Sequence, residues 1–361
     1  MGRIADALRG LGLDPTVGVA GTGVIADLPG QRAGPLIALR ADTDALPVHE
    51  ETGLDFASIH EGVMHACGHD GHTSMLVGAA EMLLADPPPL PVRLLFQPAE
   101  EKGIGAVHMI DDGALDGVAM IFGGHLDRHY PPGTLVVTDG PVNASTDTFS
   151  IQITGQQGHG ARPHEAIDAV VIGSLLVTAL QTVVSREIDP ARPSVVTVGR
   201  FSAGSAANVI AGRALLEGTI RAQHPDTRAH LCSSIERIAN AIGALHGAHV
   251  EVKVNIGTPP VINLPEPTAL ARLAAIDVVG AERVDVLHTA NMGGEDFAYY
   301  LAHVPGCYIR YGAQVPGRES FPAHSSRFDI HEDALPIGAA WFDRVARVAG
   351  AKLVSGEHDR G

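Results

Sequence analysis

The sequence predicts an α/β fold in two parts, an open-sheet domain divided in sequence and a ferredoxin-like α+β domain inserted between its halves. Three observations carry this. Short apolar runs bounded by turn residues, at 35–40, 92–97 and 118–122, alternate with helical periodicity, as buried parallel strands do. Near Asn143 the pattern changes, and residues 148–154 alternate strictly polar against apolar, as a half-exposed strand does. A chain of 361 residues also exceeds what one hydrophobic core usually supports. The expected division is 1–143 and 257–361 for the two parts of the main domain, with 144–256 inserted.

In chain order, residues 3–12 read as a short helix and a Gly-rich turn region leads to the first strand, which ends in Asp42-Thr43-Asp44. A helix is expected over 73–85, with Met75, Leu76, Ala79, Ala80 and Leu83 on one face and Pro87-Pro88-Pro89 as its stop. The second strand is followed by Glu100-Glu101 and a helix over 106–112, and the third strand by Gly123-Gly124-His125. Polar candidates thus stand at the C-terminal ends of successive strands, the edge where open α/β sheets bind ligands. In the insert, strands near 148–154, 194–201, 213–221 and 249–255 are interleaved with helices at 166–186 and 227–246, the second capped by Asp226. The order β-α-β-β-α-β is the ferredoxin-like one. After 257 come a helix near 268–275, a short helix opened by Gly293-Gly294-Glu295-Asp296, a buried strand at 307–311, a loop with His324, a closing helix at 333–350 and a frayed tail after Lys352.

Net charge of −16 argues against nucleic acid and anionic membrane surfaces as partners. The cysteines, Cys67, Cys232 and Cys307, are an odd and scattered set rather than a disulfide framework, which suits a reducing compartment. No basic start with a long apolar run opens the chain, and no window of eighteen residues is free of polar interruption. The expectation is a cytoplasmic protein with no membrane span.

The stretch Met64-His65-Ala66-Cys67-Gly68-His69-Asp70-Gly71-His72 gathers one thiol, three imidazoles and a carboxylate. Cys-x-His spacing is too short for one helical face, so a loop around a metal fits better than a helix, against the alternative of a buried His-rich loop capping a helix. Cys67, His69, Glu101, His125 and His324 are all zinc-competent donors that together could supply two metals. Among nineteen histidines any single one is by default a stray; placement at strand ends and in glycine-rich loops lifts these. Glu100 and Glu101 point in different directions after a strand, so one acid can hold a metal while its neighbour faces a water whose proton it takes. The alternative is two acids stabilising a helix N-terminus. Asp44 reads as a metal ligand or, preferably, an acceptor that orients a histidine, Asp42 is undecided, and His65 and His72 read as structural or as supports behind the donors. In the insert, His159 lies in a glycine-rich loop where it could donate to an oxyanion. Asn208 and Arg221 are either solvent-facing residues or a grip on a substrate carboxylate.

Taken together, Ala41-Asp42-Thr43-Asp44-Ala45-Leu46-Pro47, Met64–Asp70, Gln97–Glu101, Gly158-His159-Gly160-Ala161-Arg162-Pro163-His164, Asn208-Val209-Ile210 and Met292–Phe297 resemble the amidohydrolases of the aminoacylase and carboxypeptidase metallopeptidase family. The resemblance is nearest to the branch of hippurate hydrolases, N-acyl-amino-acid amidohydrolases and auxin-conjugate hydrolases, and covers nearly the whole chain. It implies a three-layer α/β/α catalytic domain of zinc-peptidase type with an inserted ferredoxin-like lid and dimerisation domain, and hence a homodimer. It implies two divalent ions (zinc, manganese, cobalt or nickel) on Cys67, His69, Glu101, His125 and His324, with Glu100 as general base and proton shuttle. His159 matches the lid histidine that polarises the scissile carbonyl, and Asn208 and Arg221 match positions that bind substrate, the arginine at its carboxylate. Two departures stand out. The chain starts after the Arg-rich helix with a His-x-x-Pro-Glu motif that usually opens this branch, and Asp42 stands where other branches carry a ligand histidine, a role the Cys67 loop is expected to take over.

The expected activity is hydrolysis of the amide of a small N-acyl amino acid. Its alternatives are a dipeptidase or carboxypeptidase with the same centre, or a non-catalytic metal- or metabolite-binding protein on this fold.

Overall fold

The structure, a computed structural model, describes residues 1–289, 291–317 and 321–358. The chain forms two compact units: Met1–Val142 with Ile262–Thr289 and Asp296–Gly361, and Asn143–Val261 with Ala290–Glu295.

The first unit opens with α1 (Gly2–Gly10), a hairpin of β1 (Thr16–Val19) and β2 (Gly23–Leu28), then β3 (Leu36–Asp42), α2 (His69–Ala85), β4 (Val92–Gln97), α3 (Gly105–Asp111), β5 (Val118–Asp127), β6 (Leu135–Val136) and β7 (Gly140–Asn143). The second unit carries β8 (Asp147–Thr154), β9 (Gly158–His159), α4 (Ala169–Thr182, continued by a π turn to Glu187), β10 (Ser194–Ala203), β11 (Val209–Ile210), β12 (Arg213–Ala222), α5 (Pro225–Leu245) and β13 (His249–Asn255). The chain then returns through β14 (Val261–Asn263), α6 (Pro265–Val279), β15 (Val284–Asp285), α7 (Phe297–Leu301), β16 (Gly306–Gly312) and α8 (Ala334–His358).

Eight strands form the first unit's sheet in the order β1-β2-β4-β3-β5-β16-β6-β15. The centre, β4-β3-β5-β16, is parallel. A parallel sheet needs cover on both faces, and β3 shows how the sequence meets that need. Ile37, Leu39 and Ala41 enter the core with α2 and α8, including Trp341 and Phe342. The alternate residue Arg40 lies over the ring of Phe297 in α7, on the opposite face. α1 and α6 pack with α2 and α8, and α3 packs with α7. The result is a three-layer α/β/α arrangement.

The second unit holds an antiparallel sheet, β10-β12-β8-β13. Phe149, Ile151 and Ile153 of β8 pack against Ile172, Leu176 and Leu180 of α4 and Leu231, Ile235 and Ala239 of α5. Element order and strand order are those of the ferredoxin-like fold. By length and composition Ala169–Glu187 could cross a membrane; here one of its faces is the roof of this core.

Several elements differ from the sequence expectations. The Gly-rich region before β3 is a hairpin, β1–β2, with a register shift between Val17 and Val19; the glycines that punctuate it also masked its alternation. α2 begins at His69, four residues early, because Gly68 at φ 82° makes the left-handed turn that starts it. β5 runs on to Asp127, so His125 lies within a strand rather than after one. α5 is entered through His224 with Pro225 in its first turn; Asp226 instead accepts from the Thr227 N–H. α8 continues past Lys352 to His358, and residues 359–361 of the expected tail lie outside the described residues.

Candidate metal centre

Four segments of the first unit converge at the C-terminal edge of its sheet. Asp44 follows β3, Cys67 precedes α2 with His69 as that helix's first residue, Glu100 and Glu101 follow β4, and His125 sits in β5. His324 joins them from the loop between β16 and α8, tied down by its N–H, which donates to Ala66 O (2.7 Å). Close packing fixes the start of α2, just after the thiol: a Cβ on Gly71 would come within 2.6 Å of Leu126 Cδ1. The backbone is strained at this edge. Ala99, just before the acid pair, and His324 itself adopt φ of 58° and 69°. Left-handed conformations at residues other than glycine gather where a site demands a side-chain direction.

The donor atoms fall into two groups that share one sulfur. Cys67, His69 and His125 offer ligand atoms within 4.8 Å of one another, and so do Cys67, Glu101 and His324. The Cys67 Sγ lies 3.4 Å from His125 Nε2, and His324 Nε2 lies 3.1 Å from Glu101 Oε1. The His69 and His125 rings are each turned by a contact on the other nitrogen. His125 Nδ1 meets Leu126 O at 2.7 Å, and His69 Nδ1 meets Asp44 O at 3.1 Å and its carboxylate at 3.2 Å. Such contacts on the far nitrogen fix tautomer and aim in metal-binding histidines. Asp44 also accepts from the Glu101 N–H (3.0 Å), coupling the second donor loop to the first.

What these donors lack is a common partner. His69 Nε2 is buried with no hydrogen bond, and Glu101 Oε1 is buried without hydrogen-bond geometry despite its approach to His324. Orphaned polar atoms in a native interior call for a specific reason, an ion among them. Burial pushes the Cys67 thiol up to about 11 against the opposing pull of His69. Burial likewise pushes His125 well below the usual imidazole range, keeping it neutral. Burial would lower His69 too, but the carboxylates of Asp42 and Asp44 outweigh it and raise its affinity for a proton. A site this hungry for positive charge, built of thiol, imidazole and carboxylate, fits two divalent cations, which the two donor groups would hold.

Glu100 stands beside this cluster, its Oε2 3.9 Å from His69 Nε2, and shares a further donor group with His69 and Glu101. Asp42 is fully buried and committed elsewhere, to Arg40 Nη1 (2.6 Å) and His72 Nδ1 (2.5 Å). The Arg40 guanidinium also donates to Gln97 and to Asp296. Sequence alone leaves Asp42 undecided and His72 either structural or a support for the donors; an arginine inside an apolar strand run is the available signal of a buried ionic network. His65 reaches Asp44 O at 3.2 Å, supporting the same acid.

His159, Asn208 and Arg221 lie in the second unit. His159 and Asn208 meet there: β9 pairs with β11, and the Gly160 N–H donates to Asn208 O at 2.9 Å. His159 Nδ1 accepts from the Ala161 N–H (3.1 Å), which leaves the proton on Nε2, and the ring is exposed. Arg221, on β12, donates to Ile220 O.

A carboxylate standing at the edge of a cluster of imidazole and carboxylate donors joined at one sulfur is the arrangement of a metal-dependent hydrolase. The model of peptidase family M20/M25/M40 matches residues 38–348. A Bacillus subtilis (strain 168) protein named N-acetyl-L-cysteine deacetylase is 40% identical over 337 residues, covering 92% of this chain and 78% of its own length. Thermostable carboxypeptidase 1 of Saccharolobus solfataricus is 38% identical over 345 residues, covering 93% and 86%. Among solved structures, the Bacillus subtilis YXEP protein, described as a dinuclear metal binding peptidase from the M20 family, matches with a TM-score of 0.85 at 34% identity, over 97% of this chain and 91% of that one. The chain belongs to peptidase family M20/M25/M40.

Proposed function

We propose that this chain hydrolyses the amide bond of N-acyl amino acids, releasing a carboxylate and a free amino acid, with two divalent cations held by Cys67, His69, Glu101, His125 and His324. The observation that carries it is Glu100 beside two donor groups joined at one sulfur. Cations at that place supply Lewis acidity, acidifying a water and polarising an acyl oxygen. Glu100 takes the proton of the attacking water as its oxygen joins the acyl carbon, then hands that proton to the nitrogen as the C–N bond breaks. Asp44 keeps the His69 ring aimed and the Glu101 loop in place. From the second unit, we assign the Nε2–H of His159 to the acyl oxygen, Asn208 to the substrate and Arg221 to its carboxylate. The deacetylase among the relatives supports the acyl-amino-acid reading.

The carboxypeptidase relative favours a second reading, in which the acyl group is itself a peptide. Metal-stripped protein reconstituted in turn with zinc, manganese, cobalt and nickel, then assayed on N-acetyl, N-benzoyl and dipeptide substrates, separates the two. Highest kcat/KM on the acyl amino acids is expected. Dipeptides turned over faster by every metal form would transfer the assignment to the second reading.

We also assign a homodimer through the second unit. Supporting it are the outer edge of β10, left open at the end of its sheet, and the exposed apolar residues Val170, Val171 and Leu175 spaced along one side of α4. Sedimentation should give twice the 37.6 kDa chain mass, and Leu175→Glu should return the protein to that single mass without unfolding it. A wild-type protein sedimenting as one chain at every concentration would end this assignment. Three free cysteines, among them the proposed ligand Cys67, support a reducing, cytoplasmic setting.

A further inference from the structure

We propose that His72, held by Asp42, is a positioning residue that sets the aim of His125 by gripping the backbone of β5 at Leu126. The inference rests on the reading of His125 as a metal ligand and adds a residue to it.

The geometry defines what His72 is doing. It lies one turn beyond His69 on α2, is 1% exposed, stacks on the His69 ring at 5.5 Å and meets the His125 ring edge-on at 4.7 Å. The Leu126 N–H donates to His72 Nε2 at 2.9 Å. A backbone amide only donates, so Nε2 carries a lone pair and the ring proton sits on Nδ1. That proton is given to Asp42 Oδ1 at 2.5 Å, while Asp42 Oδ2 takes the Arg40 guanidinium. His72 is thus a neutral imidazole of fixed tautomer with both nitrogens engaged. Asp42, His69 and His72 do bring ligand atoms within 4.8 Å of one another, but with its lone pair spent on an amide His72 has none for a cation. This trio is a brace and not a third metal position.

The brace acts where β5 needs it. The register of β3 with β5 ends at Leu39 opposite Phe122, so further along, at Leu126, the imidazole supplies the acceptor that a neighbouring strand would. Leu126 is also the residue whose carbonyl meets His125 Nδ1 at 2.7 Å, leaving His125 Nε2 toward Cys67 Sγ. Displacing Leu126 therefore rotates the His125 ring away from the shared sulfur. The line runs from Arg40 through Asp42, His72 and Leu126 to His125.

The test is a titration of the metal-free full-length protein with Co²⁺ alone, read by its visible absorption and by competition with a chelator. His72→Phe keeps the volume and removes both hydrogen bonds. It is expected to keep the far-UV circular dichroism, to alter the cobalt absorption and to weaken Co²⁺ binding roughly 10–100-fold, as loss of an outer-shell partner does. In a His125→Ala background the same change should weaken binding less than about twofold, because the two act through one ligand. Wild-type affinity and spectrum in His72→Phe overturn the proposal, and so do losses that simply multiply in the double variant. Should His72→Phe fail to fold, His72→Asn, too short to bridge Asp42 and Leu126, carries the same expectations. Absence of Co²⁺ binding by the wild-type protein would instead overturn the metal centre itself, and the positioning role with it.

Discussion

Glu100→Gln should fold, keep its metal and lose turnover by roughly 10²–10⁴-fold or more, the usual contribution of a general acid–base group. The substitution keeps the size of the side chain and removes only its capacity to take a proton. In the proposed assignment Glu100 is the shuttle, and the cations rest on its neighbour Glu101 and on Cys67, His69, His125 and His324. Metal content measured after dialysis should therefore match wild type, and KM for an N-acyl amino acid should move far less than kcat. That split matters, because a substitution that harmed the centre would lower metal content along with rate. Full turnover in this variant would remove Glu100 from the mechanism. Loss of metal in proportion to rate would recast it as a ligand, a role its approach of 3.9 Å to His69 Nε2 leaves chemically open.

The parts of this molecule that sequence made legible are those governed by local rules. β4, at Val92–Gln97, and β13, at His249–Asn255, match their expected bounds, since one is a continuous buried run and the other a strict alternation. The donors could be named because a thiol, imidazoles and paired acids in glycine-rich loops are chemically conspicuous. What stayed hidden depends on contacts between residues far apart in sequence. The starting point of α2 at His69 is set by the left-handed turn at Gly68 and by packing against Leu126, neither of which periodicity reports. The fate of Asp42 was equally unreadable. An acid at a strand end next to a metal loop looks like a ligand, and only the buried Arg40 and His72 bonded to its two oxygens show that it is already engaged, with Gln97 and Asp296 holding Arg40 in turn. Removing one partner of a buried ion pair costs about 3–5 kcal/mol, so that network is a strong constraint on how β3, β4 and α7 meet. The thiol that stands out in the sequence and the imidazoles near it thus divide by their contacts: Cys67, His69 and His125 bring their donor atoms together, whereas both nitrogens of His72 are taken by Asp42 and Leu126.

Cys67→Ala tests whether the sulfur joins two positions or serves one. Its Sγ belongs to both donor groups, whereas His324 belongs to only one of them. Burial holds the thiol near 11, so at neutral pH it releases its proton only to something that replaces the positive charge, which a divalent cation does. Removing the sulfur takes a ligand from each position at once and leaves His69 Nε2 and Glu101 Oε1 without the neighbour that completes their groups. The expected result is a chain that folds, retains less than one ion after dialysis and loses activity by at least the roughly 10–100-fold seen for outer-shell partners. His324→Ala should keep about one ion, since Cys67, His69 and His125 remain together. Cys67→Ser, nearly the same size but a poor replacement for a soft thiolate, should fall with Cys67→Ala and not with wild type. Metal per chain by mass spectrometry, set beside kcat for each variant, decides the matter. Equal metal content in Cys67→Ala and His324→Ala would assign the thiolate to a single position and leave the two donor groups unbridged.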